Sequence, residues 1–129
     1  MKLVDEAGAL AAMRHSQCSV VTVAIDQMMF HEPIRIGNLV TLQASLTYVG
    51  RTSMEVRVEV RAEDPIVGEQ MHTNSAYLVY VALNEQGRPK AVPGLIPENE
   101  LEKRRMLDGA ERQTYRLQQR KKEQKEAVA

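Results

Sequence analysis

Tryptophan is absent from this 129-residue sequence, phenylalanine and cysteine occur once each, and aromatic side chains make up 4% of it. With so few rings, a packed core must come from Val, Leu, Ile, Ala and Met, which the 43% hydrophobic fraction can supply. The lone Cys18 excludes an intramolecular disulfide framework and a cysteine-based zinc knuckle, which leaves small buried filler as its ordinary role. An excess of one charge is also lacking. Seventeen Lys and Arg balance seventeen Asp and Glu, so no global field draws the chain to nucleic acid or to an anionic membrane. No run approaches the roughly 20 apolar residues of a membrane span, and the N-terminus shows no basic stretch followed by an apolar run and a cleavage site. Together these absences lead to the expectation of a soluble cytoplasmic protein with no nucleic-acid partner and no membrane insertion.

At 14.5 kDa the chain has room for one core. From Lys2 to His15 it is Ala-rich, free of Pro and almost free of β-branched residues, which predicts a helix. Leu3, Ala7, Leu10 and Ala11 share a face of that helix, and Ala9 and Ala12 keep it slim, as a helix must be if a sheet is to wrap closely around it. His15 suits the C-terminal end of the helix dipole.

The period then falls from 3.6 to 2. Ser19 to Phe30 reads as a long strand, much of it apolar on both faces. Leu39 to Val49 alternates, with Val40, Leu42, Ala44, Leu46 and Tyr48 on one side. Met54, Val56, Val58 and Val60 alternate with Glu55, Arg57, Glu59 and Arg61 in a third strand. Asn74 to Asn84 is apolar on both faces and is expected to be central. Gly37-Asn38, Gly50-Arg51-Thr52 and Glu85 to Pro89 carry turn chemistry, and connections this short imply antiparallel pairing. The expectation is an α+β domain over residues 1–97, one central helix wrapped by a curved antiparallel sheet. Residues 98–129 change composition to Glu, Lys, Arg and Gln and predict a charged helical extension. Its nine Lys and Arg against five Asp and Glu from Leu101 onward make it +4 and the remainder −4. A solvated helix and a phosphate- or partner-contacting one both fit that pattern.

The ordered set Lys2-Leu3-Val4-Asp5-Glu6-Ala7-Gly8, Ala12-Met13-Arg14-His15, Val21 to Asp26, Phe30 to Gly37, Gly50 to Val56, Tyr80 to Leu83, Gly87-Arg88-Pro89 and Val92-Pro93 resembles the hotdog-fold acyl-CoA thioesterases. The branch it resembles holds the bacterial broad-specificity enzymes and the brain-type cytosolic acyl-CoA hydrolases. Each motif is weak singly, but together they cover nearly all of Lys2 to Pro97 in order. The resemblance implies a hotdog fold and hydrolysis of acyl-CoA to free acid and CoA. It implies no metal and no cofactor beyond the coenzyme A of the substrate, and self-association as a dimer or a trimer of dimers. It places Asp5 beside the thioester as general base or nucleophile, a use of a carboxylate that suits this chemistry. Read from the residues alone, Asp5 is a helix-start acid favoured by the dipole.

Arg51, Thr52 and Ser53 map to a turn where related enzymes approach CoA, and Arg88 and Lys90 lie in a loop suited to its phosphates. A polar hairpin and a surface loop explain the same residues. His31 and Glu32 resemble the family's Phe-His-x-x-Ile pattern and read as a turn beside an oligomer interface. Related chains carry a strand and an Asn-containing, Gly-rich turn before the central helix, so the domain is expected to lack the family's first strand. A second reading follows, that of a non-catalytic hotdog module that binds or senses acyl-CoA. An enoyl hydratase on the same fold fits poorly, because no Asp stands a few residues before a His in an Asn-Pro context.

Overall fold

A computed structural model describes the backbone of residues 2–30 and 36–128 and the side chains of residues 3–25, 36–70 and 74–125. His31 and Glu32 lie outside the described residues. The order of elements is α1 (Lys2–Ser16), β1 (Ser19–Phe30), β2 (Leu39–Val49), β3 (Ser53–Glu63), β4 (Gln70–Leu83) and α2 (Glu100–Val128). The chain divides into two compact units, Met1–Leu95 and Ile96–Ala129, the second consisting chiefly of α2.

In the first unit the strands form one antiparallel sheet in the order β1-β4-β3-β2, and α1 lies against all four. This is the hotdog arrangement, with β4 central as its two apolar faces require. Every second residue of β3 and β4 turns toward the helix. Met54, Val56, Val58, Leu78, Tyr80 and Ala82 are all fully buried there. Each large aliphatic among them stabilises the fold by ~1.5–3 kcal/mol on transfer from water. The helix side of these two strands is therefore the core.

Which face of α1 meets the sheet departs from the expectation. Leu3 and Leu10 are both 64% exposed, whereas Val4 and Ala12 are buried. Val4, Gly8, Ala12 and Ser16, four residues apart in turn, make the buried stripe, with Ala7 and Ala11 packed beside it. The reason is steric. A leucine on the contact face would hold the helix off the sheet, so small residues take that face and the bulkier ones point outward. The helix ends at Ser16, and Gln17, at φ 58°, turns the chain while its N–H donates to the Met13 carbonyl at 2.8 Å.

β2 also departs from simple alternation. Leu46 pairs with Val56 and Val49 with Met54, but Tyr48 pairs with Glu55, with an irregularity between Leu46 and Tyr48. A β-bulge at Thr47 thus moves Tyr48 off the apolar row, and Val49 packs against the core in its place. On the opposite face of the same bulge the Thr47 hydroxyl donates to Glu55 Oε1 at 2.6 Å, and both residues are 1% exposed. β1 is an edge strand whose Val21 and Val23 are 43% and 49% exposed, so its apolar character is not spent on this chain's core. Cys18 is half-buried against the core, and its thiol donates to the Ser16 carbonyl at 3.2 Å.

In the second unit α2 is a single 29-residue helix, and its Leu101, Leu107 and Leu117 are exposed. Among the described residues, no helix is long and apolar enough to cross a membrane.

Candidate active site

The first turn of α1, the start of β1 and the end of β4 meet at Asp5. Across the sheet, Thr22 of β1 pairs with Tyr80 of β4, and Tyr80 pairs with Met54 of β3, so these side chains share the helix-facing row. Asp5 is half-buried above that row. Thr22 Oγ1 donates to Asp5 Oδ1 at 2.8 Å. The Tyr80 hydroxyl also faces Oδ1, at 3.0 Å, and the Asp5 backbone carbonyl at 2.9 Å. Two hydroxyls from two strands therefore converge on one oxygen of one carboxylate. Among the described residues, Oδ2 has no hydrogen-bond partner.

The Tyr80 ring is fully buried, and a core this poor in aromatics gives its hydroxyl few places to go. Burial pushes the phenol well above the ordinary tyrosine range, and the hydrogen bond from the phenol and the charge of Asp5 push the same way, while Thr22 opposes. The phenol thus stays protonated and acts as a donor at any ordinary pH. Its approach depends on Gly8. A Cβ at that position would stand 2.4 Å from the Tyr80 oxygen, closer than real contacts allow, and a tight 3.1 Å from Cζ. The one glycine inside α1 is the notch into which the phenol fits.

Of the residues singled out from sequence, Asp5 lies at this junction, and the other five gather at one end of the sheet. In the β2–β3 hairpin the Gly50 N–H donates to the Ser53 carbonyl at 2.9 Å. The Thr52 carbonyl accepts from Ala82 N–H at 3.0 Å, and the Arg51 carbonyl from Val92 N–H at 2.9 Å. After β4, Asn84 closes a turn by accepting on Oδ1 from the N–H groups of Gln86 and Arg88, at 2.9 and 3.0 Å. The chain then returns beside β4, with Leu83 and Pro89 bridged and Lys90 N–H donating to the Ala82 carbonyl at 2.8 Å. Arg51, Arg88 and Lys90 are thereby brought from two loops to the same sheet end, all exposed, with Thr52 and Ser53 half-buried beneath. Ala82, which anchors both loops, is two residues and ~7 Å along β4 from Tyr80. His15 joins this end to the helix, its Nε2 lying 2.8 Å from the Pro93 carbonyl.

Thr22, Tyr80 and Gly8 were not reachable as site residues from sequence alone. The available signal was a glycine inside an otherwise Ala-rich helix, which calls for a packing reason, and a tyrosine on the buried side of a central strand, whose hydroxyl needs a partner. Among the described residues, no group of three or more His, Cys, Asp or Glu could hold a metal ion.

Residues 1–69 match the family model of the thioesterase superfamily. Over 112 residues the chain is 40% identical to the cytosolic acyl coenzyme A thioester hydrolase of Mus musculus, covering 84% of this chain and 29% of that protein. It therefore spans less than a third of that relative's length. Among solved structures, an apo hexameric acyl-CoA thioesterase superposes with a TM-score of 0.87 at 37% identity, over 92% of this chain and 76% of that one. An acyl-CoA hydrolase of Staphylococcus aureus in complex with butyryl coenzyme A, coenzyme A and coenzyme A disulfide superposes with a TM-score of 0.85 at 36% identity, over 99% and 77%. Variants of that hydrolase with an aspartate or a threonine replaced by alanine have also been solved, and the two replaced positions are 17 residues apart. Asp5 and Thr22 have the same separation here.

Proposed function

Because the chain belongs to the thioesterase superfamily, we propose that it hydrolyses acyl-CoA to free acid and coenzyme A, with Asp5 as general base or nucleophile. The observation that carries this reading is a carboxylate with one oxygen pinned by two hydroxyls and the other unengaged among the described residues. As base, Oδ2 takes a proton from water while the water oxygen bonds to the thioester carbonyl carbon. The resulting tetrahedral species then collapses, the C–S bond breaks, and the proton passes to the leaving thiolate. As nucleophile, Oδ2 attacks the carbonyl carbon and the C–S bond breaks, expelling the coenzyme A thiolate; water then cleaves the mixed anhydride, restoring the Asp5 carboxylate and releasing the acid, and the proton from that water passes to the thiolate. Either route needs an oriented carboxylate, and the hydrogen bond from Thr22 Oγ1 to Oδ1 supports one. The aspartate and threonine replaced in the Staphylococcus aureus hydrolase, with their matching separation, support assigning Asp5 and Thr22 to one site.

Arg51, Arg88 and Lys90 would meet the phosphates of coenzyme A, with Thr52 and Ser53 offering hydroxyls beside them. Their shared position at one sheet end, ~7 Å beyond the Tyr80 row, supports that division between reacting and anchoring ends. Assembly from copies of this chain, as a dimer or a trimer of dimers, is supported by the hexameric relative and by the exposed apolar residues of α1 and β1, Leu3, Leu10, Val21 and Val23.

Thiol release from a panel of acyl-CoAs tests the reading. Turnover is expected in the wild type, with a loss of at least ~10²-fold in Asp5→Asn. Tight acyl-CoA binding without thiol release would instead identify a binding module.

A further inference from the structure

We infer that Tyr80 is a positioning residue for the reacting carboxylate and that Gly8 exists to admit it, an inference that rests on the assignment of Asp5 above. A phenol has one hydrogen to give. Here that hydrogen lies between the Asp5 carbonyl at 2.9 Å and Asp5 Oδ1 at 3.0 Å, so one rigid donor holds both the backbone and the side chain of the same residue. Thr22, the cross-strand partner of Tyr80, reaches the same oxygen from the neighbouring strand. The result is a choice between two otherwise equivalent oxygens. Oδ1 is occupied from both sides, and Oδ2 is left to react.

The tyrosine is suited to this task by its immobility. Its ring is fully buried in the central strand, so the oxygen cannot follow a wandering carboxylate, and the carboxylate must come to it. A purely structural reading would have the hydroxyl only satisfying a helix carbonyl. That reading does not account for the second acceptor, Asp5 Oδ1. A glycine within α1 costs ~1 kcal/mol in helix propensity relative to alanine. The glycine is needed because any Cβ at position 8 would stand 2.4 Å from the phenolic oxygen.

The test is steady-state kinetics and thermal unfolding of Tyr80→Phe, Gly8→Ala, the double variant Gly8→Ala/Tyr80→Phe, and Asp5→Asn, each in the full chain. Tyr80→Phe keeps the ring and is expected to fold, to lower kcat by about ten- to a hundredfold, and to leave KM within about twofold. Gly8→Ala drives its methyl into the phenol, lowering both Tm and kcat. In the double variant the hydroxyl is gone, so Tm is expected to recover toward that of Tyr80→Phe while kcat stays low. Recovery of stability without recovery of rate separates positioning from packing. A wild-type kcat in Tyr80→Phe, alongside an inactive Asp5→Asn, would overturn this inference and leave the role of Asp5 standing. Wild-type turnover in Asp5→Asn would remove the underlying assignment itself.

Discussion

Among the described residues, two threonines hydrogen-bond to carboxylates, and the surroundings of the two pairs differ. Thr47 and Glu55 face each other at a β-bulge between adjacent strands, 2.6 Å apart and 1% exposed. Thr22 and Asp5 are 2.8 Å apart, join a strand to a helix, and are only half-buried. The donor and acceptor are the same in both cases, yet one pair is sealed and the other opens on one side. A sealed hydrogen bond is a demand on the fold, because water cannot replace it when one side is removed. A half-open carboxylate with one oxygen anchored is an available reagent. On the proposed assignment of Asp5, accessibility, more than residue type or hydrogen-bond length, separates the structural acid from the reactive one.

Substitutions at the two pairs should therefore produce opposite phenotypes. The largest stability effect is expected from Glu55→Ala, which removes the shorter of the two hydrogen bonds of the Thr47 hydroxyl, leaving it the residue 55 carbonyl at 3.3 Å, and opens a cavity. Denaturant unfolding should show a loss of about 3 kcal/mol, with kcat per folded molecule unchanged. Thr47→Val should cost ~1–3 kcal/mol and leave activity unchanged, the usual cost when a buried hydrogen bond is lost. Thr22→Val should do the reverse, lowering kcat by about tenfold while moving stability by less than ~1 kcal/mol. If both threonine variants lost stability alike and neither lost rate, the contrast between the two pairs would fail.

Smaller effects sharpen the picture of the open site. The fold holds the Tyr80 phenol above its ordinary range, whereas the unfolded chain releases that proton near pH ~10. Stability from this group is thus fully present below about pH 10 and falls as pH rises beyond it, by up to ~1.4 kcal/mol per unit. The stability difference between wild type and Tyr80→Phe should be flat at neutral pH and shrink on the alkaline side, which urea titrations across pH 8 to 11 would record. The smallest change is expected from Arg88→Ala/Lys90→Ala. Exposed cations that meet phosphate should raise KM a few-fold at low salt and less at high salt, with kcat unchanged.

Much of this organisation is legible in the sequence. The fall in period from 3.6 to 2 after His15 separates helix from sheet, and the doubly apolar run from Asn74 to Asn84 identifies the central strand. Short turns then leave antiparallel pairing as the simple solution. The chain is less legible where local pattern and packing disagree. Leu3 and Leu10 look like a core face because leucine is the more apolar residue, yet close helix–sheet contact selects Val4, Gly8 and Ala12 instead. Tyr48 falls in the apolar row by parity, and one bulge removes it. Asp5 stands out only through family resemblance. Thr22 and Tyr80 stay hidden because their partner is 17 and 75 residues away, a separation that no local period encodes.

In the proposed mechanism the half-open carboxylate carries the chemistry and the sealed one does not. Single-turnover release of thiol from saturating acyl-CoA by Asp5→Asn and Glu55→Gln, measured side by side with wild type, tests it directly. A fall of ~10²-fold or more is expected for Asp5→Asn and a wild-type rate for Glu55→Gln. A wild-type rate in Asp5→Asn, or a comparable fall in both, would contradict that mechanism.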